Sequence, residues 1–179
     1  LTVITGLLYP LAMTAIAGVV FPYQAQGSLI TQNGTVIGSA LIGQDFTSDK
    51  YFHGRPSATL GPDPADATKT TLVPYNAVNS MGSNLGPTSK SLSDRVTASY
   101  NALKAENPNM PVPVDLVTTS ASGLDPDVSP EGALFQLPRV AKARNLPELQ
   151  GSQRGAQHTE GSFLGFSGEP HVNVRQLNL

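Results

Sequence analysis

The chain has 179 residues, with 13 Asp and Glu against 11 Lys and Arg, 17 Gly, 15 Pro and no Cys. A net charge of −2 excludes the basic surface that nucleic-acid backbones require, and the lack of Cys excludes disulfides, thiolate nucleophiles and Cys-ligated zinc. The length suffices for one domain with a hydrophobic core, and the many Gly and Pro residues predict a fold rich in loops.

An apolar, charge-free segment opens the chain. The first 44 residues contain no Asp, Glu, Lys or Arg. Residues 1–21 match the length of about 20 residues that a helix needs to cross the hydrocarbon core of a bilayer. We therefore predict a transmembrane helix over residues 1–22, kinked at Pro10. A cleaved signal peptide is the alternative, because Ala15-Ile16-Ala17 resembles a cleavage site.

The charges that flank this segment predict its orientation. No Lys or Arg precedes Lys50, whereas cytoplasmic flanks of membrane helices normally carry an excess of both. We therefore expect residues 23–179 to form one domain outside the cytoplasm.

Turn chemistry and apolar periodicity predict the first elements of this domain. The dipeptide Asn33-Gly34 lies between two β-branched, apolar runs and favours a tight β-hairpin. Residues 51–81 are interrupted by four prolines, so ordered loops are expected there. A helix is predicted from an N-cap at Ser91, with Asp94 completing a near capping box, to Asn107-Pro108.

The sequence of the second half of the domain predicts two strands and a helix. Residues 112–118 are β-branched and apolar, and residues 171–177 alternate, so both are predicted as strands. In the second strand, Val172, Val174 and Leu177 are expected to face inward. Between the strands, Ser129-Pro130-Glu131 supplies an N-cap, a first-turn proline and an acidic first turn, which predict a helix through Arg144. The fold class is α+β: one membrane helix followed by a loop-rich mixed domain.

Several catalytic motifs are missing. No G-x-x-x-x-G-K-[ST] phosphate loop occurs, and Asp66 lacks the context of a phosphorylated aspartate. Ser120 and Ser122 lie outside a G-x-S-x-G elbow, so they are interpreted as turn residues. The histidines His53, His158 and His171 are far apart and lack zinc-ligand spacing. We therefore predict no catalytic residue and no metal site.

Several separate motifs are distributed along the chain, in residues 38–44, 51–58, 82–87, 112–126, 139–144 and 168–179. Together they resemble the KdpC family, the small accessory subunits of Kdp potassium-transporting ATPases. The resemblance covers nearly the whole chain, and this ordered agreement is far more specific than any single motif.

The resemblance implies an accessory subunit of a bacterial inner-membrane complex that imports potassium at the expense of ATP. The implied partners are a potassium-channel-like subunit, a P-type ATPase subunit that carries catalysis, a small single-helix subunit and membrane lipid. ATP, Mg²⁺ and K⁺ would be used by the complex, with none bound by this chain alone. The chain would be required for assembly and function, with its loops near the outer mouth of the potassium pathway.

Three residues are candidate site residues, one from the resemblance and two from the composition of the loops that contain them. Gln136 is the candidate for a nucleotide contact, an alternative in which the subunit helps to bind ATP. Arg55 and Asn84 are the candidates for docking to partner subunits, because both lie in Gly- and Pro-rich loops whose backbone shape is fixed. A free-standing anchored binding domain or hydrolase is the remaining alternative.

Overall fold

The computed structural model describes residues 1–147, 159–161 and 168–179. It contains two compact units, Leu1–Leu41 and Ile42–Leu179. The prediction for His158 and the polar residues 151–158 lie outside the described residues.

The first unit begins with a helical segment that changes from a π-helix to an α-helix along its length. Ile4–Leu8 is a π-helix in which the Tyr9 N–H bonds to the Ile4 carbonyl, and helix α1 then spans Tyr9–Val20. Pro10 has no N–H to donate and its ring crowds the preceding turn, which accounts for the wider turn before it. Phe21 ends α1, and the short helix α2 spans Pro22–Ala25.

The expected membrane-spanning helix over residues 1–22 is not confirmed. Within the described ranges, no helix is both long enough and apolar enough to span a membrane.

The predicted β-hairpin is confirmed. Strands β1 (Leu29–Gln32) and β2 (Thr35–Ser39) pair antiparallel around Asn33 and Gly34, whose φ angles are 51° and 78°. Positive φ at both central residues gives a turn whose twist matches the twist of the strands.

The second unit begins with loops and short elements, as expected for residues 51–81. Among them is a small antiparallel hairpin of β3 (Leu60–Pro62) and β4 (Thr70–Leu72). Helix α3 spans Lys90–Glu106, and its predicted end at Asn107 is confirmed. The predicted N-cap at Ser91 is wrong, because the helix begins two residues earlier. Asp94 completes no capping box; its carboxylate pairs with Lys90 Nζ at 2.6 Å.

The predicted strand over residues 112–118 is also wrong. The segment contains a 3₁₀ turn at Val114–Leu116. The Asp115 carboxylate accepts the Ser129 N–H at 2.7 Å, and the Thr118 hydroxyl donates to the Val114 carbonyl at 2.8 Å. These side-chain bonds favour a turn over a strand ladder.

Helix α4 (Pro130–Arg144) begins and ends where it was predicted, and the Ser129 hydroxyl accepts the Gly132 N–H at 2.9 Å. A sheet with the order β5-β7-β6 is formed by Asp127–Val128, His171–Asn173 and Thr159–Glu160. The predicted C-terminal strand is correct only for its first half. Asn173 caps a short helix α5 (Val174–Asn178) by accepting the Gln176 N–H.

The core of the second unit lies where α4, β7 and α5 meet. Phe135 and Val172 have no exposed surface, and Val174 and Leu177 are buried as predicted. Other members of the cluster are Phe52, Leu116, Val128, Ala133, Leu137 and Val140. This core positions the loops that precede α3 and α4.

Candidate functional site

Two side-chain amides hold the loop at residues 51–58. Asn178 accepts the Phe52 N–H at 2.8 Å and donates to the Phe52 carbonyl at 2.9 Å. Gln136 accepts the His53 N–H at 2.7 Å and donates to the His53 carbonyl at 3.0 Å. We call these two side chains the amide clamp. They satisfy the backbone groups of Phe52, which is buried, and of His53, which is half-buried, where no strand among the described residues is paired with them.

Gln136 has little capacity left for a ligand. Its side chain is 2% exposed, and its amide also donates to the Gly132 carbonyl and accepts a hydrogen bond from Arg139 Nη2 at 2.8 Å. A side-chain amide offers two donor and two acceptor positions, and all four are used within the chain. A nucleotide contact through Gln136 would require at least one of these bonds to break.

Two arginines of α4 reinforce the same loop. Arg139 donates from Nη1 to the Asp49 and Tyr51 carbonyls at 2.9 and 3.0 Å, and from Nε to the Glu106 carboxylate at 2.9 Å. Arg144 donates to the Lys50 carbonyl, and its guanidinium lies 5.6 Å from the centre of the Tyr51 ring. Side chains of α4 thus bond the backbone of four loop residues, Asp49, Lys50, Tyr51 and His53, and Asn178 of α5 holds Phe52 between them.

Arg55 ties this loop to the serine-rich turn. Its Nη1 pairs with the Asp125 carboxylate at 2.9 Å, and Nη2 reaches the Thr119 carbonyl at 3.4 Å. The side chain is 26% exposed, so most of the guanidinium is engaged inside the unit. Arg55 therefore shapes the loop, and its predicted contact with a partner stays a prediction.

A third loop, which carries Tyr75, is joined to the loop at residues 51–58 through hydroxyl groups. The Ser57 hydroxyl donates to the Gly123 carbonyl at 2.7 Å and accepts the Tyr75 N–H at 3.0 Å. The Tyr75 hydroxyl donates to the Arg55 carbonyl at 2.7 Å. Burial, with the charge of Asp125, raises the pKa of Tyr75 well above its ordinary value, so the phenol remains a donor.

Close approach of the Tyr75 ring explains two glycines of the family-like motifs. A Cβ atom at Gly43 would collide with the ring, and one at Gly54 would collide with the hydroxyl. Both positions require glycine because the aromatic side chain occupies that space.

The serine and aspartate motifs form turns in the structure. The Ser120 hydroxyl accepts the Gly123 N–H at 2.9 Å, and the Ser122 hydroxyl accepts the Leu124 N–H at 3.1 Å. Asp66 binds the N–H and hydroxyl of Thr68, and the hydroxyl bond is the main cause of its lowered pKa. The serine contacts agree with the interpretation of Ser120 and Ser122 as turn residues.

The histidines differ in environment. Burial, followed by the charge of Arg139, lowers the pKa of His53, whose Nε2 lies 3.1 Å from the Ser48 carbonyl oxygen. His171 lies 3.7 Å from the Glu160 carboxylate and 4.0 Å from that of Asp127. Across the described ranges, no group of three or more His, Asp and Glu side chains is placed to hold a metal ion.

Asn84 is separate from the amide clamp. It is exposed and has a φ of 51°, a left-handed conformation that Asn tolerates better than most residues. Its side chain is therefore presented to solvent.

Sequence reasoning missed the structural roles of Asn178, Arg139 and Tyr75. One signal was present: Gln136 interrupts the apolar run of α4, and a polar residue on a buried face requires hydrogen-bond partners. No sequence pattern identifies the partner of Gln136 as the backbone of His53, 83 positions away, or the partner of Asn178 as the backbone of Phe52, 126 positions away.

Comparison with known proteins gives one consistent result. The family model described as KdpC, the c chain of K⁺-transporting ATPases, matches residues 1–179. A potassium-transporting ATPase KdpC subunit of Bradyrhizobium diazoefficiens is 70% identical over the whole chain, which covers 89% of that relative. The KdpC subunits of Rhodopseudomonas palustris (strain BisB18) and Methylobacterium nodulans are 68% and 64% identical, with 90% and 89% of those relatives covered. This chain therefore belongs to the KdpC family, as its motifs predict.

Proposed function

We propose that this chain is a non-catalytic accessory subunit of a bacterial, ATP-driven potassium import complex and is required for the assembly and function of that complex. The observation that carries the proposal is the family match over all 179 residues. The site supports it, because Arg55, Ser57 and Gln136 make contacts that fix loop shape and form no nucleophile–base pair among the described residues.

The partners in this proposal are a channel-like subunit, a catalytic P-type ATPase subunit and a small single-helix subunit. ATP, Mg²⁺ and K⁺ act on the complex, and this chain alone binds none of them. The saturated amide of Gln136 supports this division. Calorimetric titration of the purified chain with Mg-ATP should give no saturable heat at micromolar concentration. A saturable isotherm that a folded Gln136→Glu variant loses would favour the nucleotide-binding alternative.

Residues 1–22 serve as the membrane anchor in this proposal, with residues 23–179 outside the cytoplasm of the bacterial inner membrane. The exposed apolar side chains support it, since Leu1 is 98% and Val19 83% exposed, and such side chains favour contact with lipid or another helix. Labelling of an introduced cysteine can test this orientation. Ser152, a polar position suited to such a cysteine, lies outside the described residues. Thr97 is exposed on α3, and the chain has no native cysteine that would react in its place. A Thr97→Cys variant should react with an impermeant thiol reagent on spheroplasts, and reaction only after lysis would reverse the orientation.

An uncharged stretch, residues 70–89, is the docking surface of this proposal, near the outer mouth of the potassium pathway. It lies between Lys69 and Lys90 and includes Asn84. Val78 is 95% exposed, and the turn that presents it is fixed because Asn76 and Asn79 both donate to the Leu60 carbonyl. Interface cores are depleted of charge, and a surface fixed in advance loses little entropy on binding.

Tagged purification tests the association and its surface together. The tagged chain should retain the other pump subunits, and cells that lack it should fail to grow on low potassium. Val78→Asp should reduce retention at least about tenfold, because a charge enters an apolar contact. Val114→Asp is the matched control, since Val114 is 72% exposed outside the stretch. Equal retention of both variants would place docking elsewhere.

A further inference from the structure

A large cleft in the second unit lies between α3 and the loops that the amide clamp holds. Its volume is about 740 Å³. Apolar side chains form much of its wall, and three arginines also line it. The lining residues used below are Leu72, Leu103, Arg55, Arg95, Arg139 and Asp45.

Two of the three arginines are neutralised within the chain. Arg139 pairs with Glu106, and Arg55 pairs with Asp125. Arg95 differs: it forms no hydrogen bond and no ion pair with any part of the chain that the structure describes. Its Nε is fully shielded from solvent and has no hydrogen-bond partner there, and the Nε of Arg55 in the same cleft is in the same condition.

An unpaired guanidinium in this position favours an anion. Arg95 is half-buried, so it has lost part of its hydration without gaining a partner. Glu106 is already bonded to Arg139 at 2.9 Å, and burial holds the pKa of His53 below its ordinary value. Asp45, the other acid of the lining, is exposed and forms no ion pair with Arg95 in the described structure.

We propose that this cleft receives a carboxylate side chain of a partner subunit, with Arg95 as its counter-ion. The inference rests on the proposed function and names the chemistry of one contact within it. A planar guanidinium matches a carboxylate with two parallel hydrogen bonds. The apolar wall suits the methylene stem of Glu or Asp, and Leu72 belongs both to the cleft and to the uncharged docking stretch. One partner segment can therefore cover both.

Zero-length cross-linking tests this contact directly. Carbodiimide joins a lysine amine to a carboxylate that touches it and does not join arginine. In the purified complex, Arg95→Lys should give a new cross-link to a partner subunit, identified by mass spectrometry. Native Lys90 on the same helix is the internal control, because it already pairs with Asp94. New cross-links confined to Asp45 or other residues of this chain would overturn the proposal.

Affinity within the complex gives an independent readout. Arg95→Ala should weaken retention about tenfold or more, because it leaves a partner carboxylate buried without a counter-ion, and Arg95→Lys should restore most of it. Lys90→Ala should have no effect. The thermal unfolding midpoint of Arg95→Ala should match that of the parent chain, which excludes misfolding.

The outcomes separate this inference from the proposed function. If the parent chain retains no pump subunit, the proposed function fails. If the parent and Arg95→Ala chains are retained equally, only the inference fails. Saturable binding of inorganic phosphate to the free chain, lost in Arg95→Ala while retention is unchanged, would show a free-anion site and also overturn it.

Discussion

The two compact units differ in the sequence separation of the residues that their side-chain hydrogen bonds join. In Leu1–Leu41, Thr5 and Thr14 donate to carbonyls four residues earlier, and Ser39 reaches back 12 positions to Gly27. In Ile42–Leu179, Gln136 and Asn178 bind backbone 83 and 126 positions away. The first unit, all of whose residues are described, buries only Ser28, whereas the second has an apolar core.

This difference separates two ways of specifying structure. A helix and a hairpin with the right turn residues form from neighbouring residues, and their apolar side chains remain available for lipid or partners. The loops of the second unit keep their shape only while α4 and α5 are folded against them. Their shape therefore depends on the free energy of unfolding of the whole unit.

The largest expected effect comes from removing one half of the amide clamp. Gln136→Leu keeps the size of the side chain but leaves the His53 N–H and carbonyl and one Arg139 donor without partners. Each unsatisfied buried group costs about 1–3 kcal/mol, so the free energy of unfolding should fall by about 3 kcal/mol or more. Chemical denaturation measures it. Leu134→Ala is the control on the same helix, since Leu134 is 45% exposed and should cost below about 1 kcal/mol.

Asn178→Ala should be the next largest, with a loss of about 2 kcal/mol, because Phe52 loses both backbone partners. Combined with Gln136→Leu, it should cost less than the sum of the single losses, because both act on consecutive residues of one loop. A double-mutant cycle measures this coupling. Strict additivity would mean that the two amides hold independent segments.

Gly34→Ala tests the local unit and should cost about 1 kcal/mol, since φ at this position is 78° and alanine tolerates such values poorly. Amide hydrogen exchange should speed up in β1 and β2 and stay unchanged at Phe135 and Val172. Faster exchange in the core as well would contradict the independence of the first unit.

The smallest expected effect is a pH dependence of the second unit. The pKa of His53 is lower in the folded chain than its ordinary value of 6.5, so the unfolded chain binds more protons between the two values. Stability should therefore fall as the pH drops below about 6.5, and it should be flat above that pH. His53→Gln should reduce this slope in denaturation curves measured from pH 7.5 to 5.

A carboxyl group should act in the opposite direction at lower pH. Burial raises the pKa of Asp127, so its protonated form is favoured in the folded chain, and acidification through its folded pKa should add stability. Asp127→Asn, measured over the same range extended to pH 3.5, should remove that gain. An unchanged profile in both variants would assign the pH dependence to other groups.

Much of the secondary structure and the family could be predicted from the sequence. Helix α4 was predicted because Ser129 and Pro130 act on their own first turn, and the hairpin because Asn33 and Gly34 accept positive φ. The site was predicted as motif-rich loops around Arg55 and Asn84, with Gln136 as a candidate for a nucleotide contact. Its internal bonds were not predicted, because most of them join groups that lie far apart in the chain.

What the sequence alone determined are the features that a few adjacent residues specify: the hairpin turn, the ends of α4 and the ordered motifs of the family. Tertiary structure decided the rest. It made residues 112–118 a turn, because the Asp115 carboxylate meets the Ser129 N–H. It also gave Gln136 the backbone of His53 as its partner, and Asn178 the backbone of Phe52. A side-chain hydrogen bond depends on which atoms come within about 3 Å, and only the folded core brings these groups that close.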